Sequence, residues 1–375
     1  MSSPQFPSDQ LQELAARVVS RPDTPFCTPG LAVVIAPQGG ESTRVCVGTD
    51  AVGEPIRTDT LFPIASATKL ATGLALLRLV EQGLVDVDAP LRRYLPRARA
   101  ADTGITLRQM TSHTSGLPLD LDPARTPLTR TLDWRGIAQG CLDTPLQYEP
   151  ATRVQYSNVA YGLLALVMEH VTGEDFKAVL ERLVIEPLGI EAYIGRVPPR
   201  RPAVVDYIDS PYLGTELEPY NSAFWWQLGT PWAGMYTTAD GLLALIQPYA
   251  DFRPDLLGPV MTAAARTDQT HGLAGGFGTT DPFLGFNNSR SITWPRCPWG
   301  LVVELRGDKR PHWTPTAATP ESFGQIGASG CVAWCDPARG VSWVALAPRT
   351  TDSGWLVRHG SAFGSVAFQH AAVTR

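Results

Sequence analysis

One stretch constrains the fold more than any other: Leu61-Phe62-Pro63-Ile64-Ala65-Ser66-Ala67-Thr68-Lys69-Leu70, and the apolar run behind it. Leu70, Leu74, Leu77 and Val80 recur at helical spacing, and Gly83 supplies a stop. The periodicity therefore predicts a buried helix from about Leu70 to Val80, with Ser66 at or near its first turn. Lys69 then lies one turn along the same face. A helix start offers unpaired N–H groups and a positive dipole end, which favour developing negative charge. An amine one turn from a hydroxyl can take its proton if partial burial makes the neutral amine accessible. The pair alone is weak, because an N-cap serine followed by a solvated lysine gives the same spacing.

Around that helix the chain reads in three parts. Ser8 to about Arg21 is amphipathic through Leu11, Leu14, Ala15 and Val18, and Leu31–Ala36 is a buried strand turned at Pro37–Gly40 into a second from Thr43 to Gly48. From Ser66 to about Tyr249 the pattern is mostly helical. It includes a short helix at Thr106–Thr111, a strong one at Val159–Val171, and others from Glu174 to about Glu186 and from Thr238 to about Pro248. Residues 195–232, rich in Pro, Tyr and Trp, read as loop. Later come strands at Gly300–Leu305, Cys331–Trp334 and Val341–Leu346, the last two paired across residues 336–340, and a final helix at about Ser361–His370. The expected fold is α/β (α+β): an antiparallel sheet subdomain from residues 1–60 and 290–375, discontinuous in sequence, and a mostly helical subdomain from 61–289.

Composition excludes some partners. The net charge is −5 and basic residues are not bunched, which argues against nucleic acid or an anionic membrane. No run approaches the roughly 20 apolar residues of a bilayer span. The amino-terminal ten residues have neither a basic start nor an apolar core, so a cytoplasmic location is expected. Six scattered cysteines and six histidines show no ligand spacing, so neither metal nor cofactor is expected, and Cys331 and Cys335 read as packed thiols on one strand face.

Four further stretches turn the Ser66–Lys69 pair into a pattern: Ile105–Gly116, Tyr156-Ser157-Asn158, Glu186-Pro187-Leu188-Gly189 and Phe323–Gly330. In order and over most of the chain they resemble the class C β-lactamases and related Ser-x-x-Lys carboxylesterases and transacylases, within the penicillin-binding-protein-like enzymes. The resemblance implies a β-lactamase-like fold and a Ser66 acyl-enzyme. Lys69 or Tyr156 would be the general base, Asn158 a support to Lys69 or the substrate, and the Ser66 and Ala328 N–H groups an oxyanion hole. The family's Lys-Thr-Gly or His-Thr-Gly is Gln325-Ile326-Gly327 here, so a cation and a hydroxyl that would read a substrate carboxylate are missing. Gln325, Gly327, Ser329, Trp225 and Trp226 are candidate substrate contacts, with Trp232 beside them, and His113 reads as a structural loop histidine.

The substrate expected from this departure is a neutral small-molecule ester or amide. Two outcomes follow for the acyl group. Transfer to an amine or alcohol would make the chain a transacylase, as in relatives from antibiotic and other natural-product pathways, and this reading is placed first. Transfer to water would make it a carboxylesterase. A β-lactamase, a D,D-peptidase and a non-turnover acylated sensor rank lower. No Gly-x-Ser-x-Gly elbow occurs, which argues against an α/β-hydrolase triad.

Overall fold

The computed structural model describes residues 7–19, 24–277, 280–281, 286–287 and 292–373. Its main sheet has six antiparallel strands: β1 (Gly30–Pro37), β2 (Thr43–Gly48), β3 (Glu304–Leu305), β4 (Phe323–Gly327), β5 (Cys331–Asp336) and β6 (Val341–Leu346). Their spatial order is β3-β4-β5-β6-β1-β2, so the amino-terminal hairpin adds onto the carboxy-terminal strands through the β6–β1 pair to make one sheet. The predicted β5–β6 pair is present, with Trp334 opposite Trp343.

Every residue of β1, β5 and β6 is buried, because layers cover both faces of the sheet. Period-two alternation divides them cleanly. Leu31, Val33, Ile35, Val332, Trp334, Trp343 and Ala345 face an outer layer with α1 (Pro7–Val19) and the carboxy-terminal helix (Trp355–Val373). Ala32, Val34, Cys331, Ala333, Cys335, Val344 and Leu346 face the helical part of the chain. Cys331 and Cys335 thus share a face as free thiols, and burial pushes the Cys331 thiol up to about 12.

At the centre of the inner layer lies α2 (Thr68–Glu81), preceded by a tight turn over Ala65–Ala67. Eleven of its fourteen residues are buried, and Gly83 ends it at φ +73°. A side chain at Gly73 would place a Cβ 2.2 Å from Val302 Cγ2, so glycine is required where the two segments cross. Against it packs α3 (Asn158–Thr172), capped by the Ser157 Oγ, which accepts from the Ala160 N–H at 3.1 Å.

Several expectations need correction. Only Glu304–Leu305 of the expected strand at 300–305 is a strand, since Val302 adopts φ +78° and Gly300 N donates to Val303 O at 2.9 Å in a tight turn. The stretch at 195–232 contains a helix, Ala223–Leu228, capped by Ser222. Helices at Trp134–Leu142 and Pro259–Arg266 lie within the part expected to be mostly helical but are not among the helices read individually, and the final helix begins six residues earlier than its periodicity indicates. The expected end of the first helix at Arg21 and the boundary at 289/290 lie outside the described residues. No helix among the described residues is long and apolar enough to cross a membrane.

Candidate active site

Two small sheets deliver the key residues. Phe62–Pro63 pairs with Met235–Thr237, which pairs with Ala192–Ile194, and the chain leaves this ladder directly into the Ser66 turn. Ala65, the last residue before Ser66, is held at φ +42°, a left-handed conformation that a residue with a Cβ adopts at a cost. Val154–Gln155 pairs in parallel with Gly275–Phe277, and the chain leaves that ladder into Tyr156 and the start of α3. Ser66 and Tyr156 therefore project from element junctions that three other segments pin down.

These junctions meet at Lys69, which is fully buried. Its Nζ donates to Asn158 Oδ1 at 2.7 Å, to the Trp232 carbonyl at 3.2 Å and to Ser66 Oγ at 3.3 Å. It also lies 4.7 Å from the Tyr156 ring centroid and 5.3 Å from that of Tyr161. Asn158 and Trp232 are acceptors that cannot move away, so two of the three amine positions are committed. The third points at Ser66, carrying a proton in the ammonium and a lone pair in the neutral amine.

Tyr156 is 5 % exposed and lines the same cavity as Ser66. Burial pushes its phenol well above the ordinary range. The nearby Ser66 hydroxyl works against that shift, and the Glu304 charge adds to it. At neutral pH the group is therefore a phenol and not a phenolate. His113 is completely buried at φ +59°, and its Nδ1 accepts the Ser157 N–H at 3.1 Å. Burial, assisted by Lys69, holds this imidazole well below its usual range, so it stays neutral and fixes the backbone one residue before Asn158.

The cavity over Ser66 has a volume of about 950 Å³. Ser66, Tyr156, Asn158 and Ala328 share it with apolar walls from Leu119, Phe277, Ile292, Trp313, Ile326 and Leu356. Among the described residues that line it, Asp352 and Arg358 alone carry charge, and Arg358 is exposed beside the exposed Val357 and Phe26.

The expected substrate contacts divide differently from the sequence reading. Ala328 lines the cavity, as an oxyanion donor must. Gln325 does not: it is fully buried, and its Nε2 donates at 2.9 Å to the carbonyl of the strained Val302. Strand alternation is the reason, since Ile326 faces the cavity and its neighbours point the other way. Gly327 backs onto the Ile64 carbonyl, where an added Cβ would sit 2.1 Å away, and Ser329 Oγ donates to Pro63 O at 2.5 Å. Together with a Cys331 Sγ contact to Ile64 O at 3.2 Å, they clamp the end of β4 to the nucleophile turn. Trp225 is a core residue at 2 % exposure, and Trp226 donates its indole N–H to Tyr220 O at 2.9 Å. Neither lines the cavity, whereas Trp232 and Tyr220 do.

One residue absent from the sequence reading completes the constellation. Asp120, 4 % exposed, accepts from Asn158 Nδ2 at 2.9 Å. No cluster of three His, Cys, Asp or Glu side chains suited to a metal ion occurs among the described residues.

Comparison with known proteins sets this geometry in context. The beta-lactamase family model matches residues 25–358. Esterase EstB of Burkholderia gladioli is 31 % identical over 272 residues, 60 % of this chain and 67 % of that protein. Protein flp of Staphylococcus aureus (strain COL) is 25 % identical over 166 residues, 43 % of this chain and only a third of its own length. Among solved structures, EstCE1, a hydrolase with promiscuous acyltransferase activity, superposes with a TM-score of 0.72 at 21 % identity, covering 96 % of this chain and 98 % of its own. A D-amino acid amidase from Ochrobactrum anthropi SV3 gives 0.71 at 19 % identity, covering 99 % and 100 %. At these identities the two structures speak to the fold.

Proposed function

The chain belongs to the beta-lactamase family, and we propose that it is a serine esterase that cleaves neutral, apolar small-molecule esters through a Ser66 acyl-enzyme. The observation that carries this reading is the anchoring of Lys69 by Asn158 and Trp232, with its third contact directed at Ser66 Oγ. Ser66 Oγ attacks the ester carbonyl carbon as its proton passes to the neutral Lys69 amine. The oxyanion forms beside the Ser66 and Ala328 N–H groups, which are fixed before reaction by the clamp between β4 and the nucleophile turn. As the carbon–oxygen bond to the leaving alcohol breaks, the Tyr156 phenol gives that oxygen a proton and recovers one from Lys69. Water then attacks the acyl-enzyme, and the same proton path runs in reverse.

Burial of Tyr156 favours Lys69 as the base and the phenol as the acid. The largely apolar walls favour an uncharged acyl group over a substrate carboxylate held near the scissile bond. A second reading, transfer of the acyl group to an amine or alcohol, draws support from the cavity's volume, which leaves space beside a short acyl chain for a second molecule. A role in antibiotic biosynthesis belongs to that reading alone.

The test is p-nitrophenyl butyrate hydrolysis with intact-mass analysis of the quenched enzyme. A mass gain of one butyryl group on Ser66, absent in Ser66→Ala along with activity, supports the mechanism. Full activity in Ser66→Ala overturns it. Adding a primary amine separates the acceptors, since amide product signals transfer and unchanged acid yield signals hydrolysis.

Chain length provides a second check. Each methylene buried against Phe277, Trp313 and Leu356 contributes at most about 0.8 kcal/mol, or about fourfold in kcat/KM. The ratio should therefore rise from acetate to hexanoate esters. Trp313→Ala should flatten that rise by about tenfold at hexanoate while leaving acetate turnover nearly unchanged. A flat profile in the wild type would place the acyl chain elsewhere.

A further inference from the structure

The loop after Gly116 reaches the catalytic group from behind. Three of its residues hold the start of α3: Pro118 O accepts from Ser157 Oγ at 2.6 Å, Leu119 O accepts from the Asn158 N–H at 2.7 Å, and Asp120 Oδ2 accepts from Asn158 Nδ2 at 2.9 Å. The other Asp120 oxygen, Oδ1, accepts the Leu121 N–H at 2.8 Å. Asp120 does not line the cavity over Ser66. It borders a separate cavity of about 950 Å³ with Leu121, Arg125 and Thr126.

An asparagine amide can sit either way round, and its neighbours decide which. Lys69 only donates, so it requires Asn158 Oδ1. Ionised Asp120 only accepts, so it requires Asn158 Nδ2. The two demands agree, and the result is a line of buried contacts running Asp120–Asn158–Lys69–Ser66. Turning the Asn158 amide over would bring an N–H against the Lys69 ammonium and an oxygen against a carboxylate.

We propose that Asp120 is a positioning residue for acylation: it locks the Asn158 amide so that Oδ1 faces Lys69, and places a negative charge behind the amine that receives the Ser66 proton. This inference rests on the Ser66 acyl-enzyme reading. It assigns Asp120 no contact with substrate, so its loss should appear in kcat and not in KM. It also makes the orienting part of Asp120's effect dependent on Asn158.

The test uses the p-nitrophenyl butyrate assay on the full chain. Asp120→Ala should lower kcat about 10²-fold, the lower end of what a positioned proton-transfer group contributes, with KM within about twofold of wild type. Asp120→Asn keeps the shape but offers one oxygen where two acceptors are used, so its kcat should fall between the two. The acid limb of the pH profile should move to lower pH in both variants. The titratable groups around the amine are Tyr156, Tyr161 and His113, with Asp120 behind Asn158, and removing that anion makes the neutral amine easier to reach. A purely structural role would leave that limb in place. In an Asn158→Ala background, Asp120→Ala should add clearly less than it costs in the wild type, because the amide it orients is gone. If Asp120→Ala does not fold, the Asp120→Asn comparison carries the same two readouts. An unchanged kcat in a folded variant, a fixed acid limb, or a full additional loss in the Asn158→Ala background would each overturn the proposal. Ester turnover and Ser66 labelling by the wild type are read separately, so failure here is distinct from failure of the esterase reading.

Discussion

Lys69→Ala should lower kcat/KM for p-nitrophenyl butyrate by about 10³-fold, equivalent to about 4 kcal/mol of lost transition-state stabilisation. The loss is large because no second base stands near Ser66 among the described residues. Burial holds Tyr156 as a phenol, and His113 donates or accepts nothing at Ser66, its Nδ1 being occupied by the Ser157 N–H. Lys69→Arg should not restore activity, since a guanidinium never becomes the neutral acceptor that the step requires. Alanine also strips the buried Asn158 Oδ1 and Trp232 carbonyl of their donor, at about 1–3 kcal/mol of stability for each group left unpaired. Urea titration therefore belongs beside the kinetics, run where the variant is more than nine-tenths folded. Rapid-quench mass analysis isolates the step, because the Ser66 acyl adduct should accumulate about 10³-fold more slowly. Tyr156→Phe separates the roles. As p-nitrophenolate leaves without a proton, that variant should lose much more activity toward an alkyl ester than toward the p-nitrophenyl ester. A Lys69→Ala enzyme within tenfold of wild type would remove Lys69 from the chemistry.

How far residue order foretold this site depends on what kind of signal each residue left. Ser66, Lys69, Tyr156 and Asn158 sit at helix starts, and helix starts announce themselves. The Leu70–Val80 stripe locates one, and Ser157 followed by an apolar run locates the other. The β5–β6 hairpin was equally plain, as two β-rich runs joined across Pro337–Gly340. Asp120 left no such mark. Its importance comes from a loop folding back onto α3, and a single aspartate among Pro and Leu residues has no period to read. Gln325 stands at a motif position that suggests a substrate contact, but strand alternation turns it away: Ile326 lines the cavity and Gln325 donates to Val302 O. Trp225 and Trp226 lie off the cavity for a related reason. Ser222 is a good N-cap, and recognising it would have placed Trp225 on a short helix with its ring directed inward. Val302 shows the opposite case. A β-branched run reads as strand, and nothing local reveals that one residue is driven to φ +78° to let its side chain pack on Gly73.

Lys309→Met should destabilise the fold by about 3–5 kcal/mol, the usual cost of removing one partner from a buried ion pair. Lys309 and Glu304 are both fully enclosed, with Nζ 2.7 Å from Oε1 and stacked 5.0 and 5.3 Å from the Trp294 and Trp299 ring centroids. Burial alone pushes the Glu304 carboxyl up, but Lys309 and His312 together outweigh it and leave the group below the ordinary range. Without Lys309 the carboxylate stays buried with only the longer His312 contact at 3.4 Å. Pairing Lys309→Met with Glu304→Leu should recover most of the loss, because apolar groups of similar volume carry no charge to desolvate. His312 gives the prediction a pH signature. Burial lowers its imidazole to about 4, against an unfolded value near 6.5, so the unfolded chain binds the proton first as pH falls. Its contribution is complete above pH ~6.5 and is lost on acidification toward pH ~4, about 3 kcal/mol over that window. Lys309 helps hold His312 neutral, and in its absence a protonated His312 can pair with Glu304. The deficit of Lys309→Met relative to wild type should therefore shrink between pH 7.5 and pH 5.5 in urea titrations. A deficit that stays constant would mean that His312 does not sense the pair, and one that grows would reverse the assigned sign.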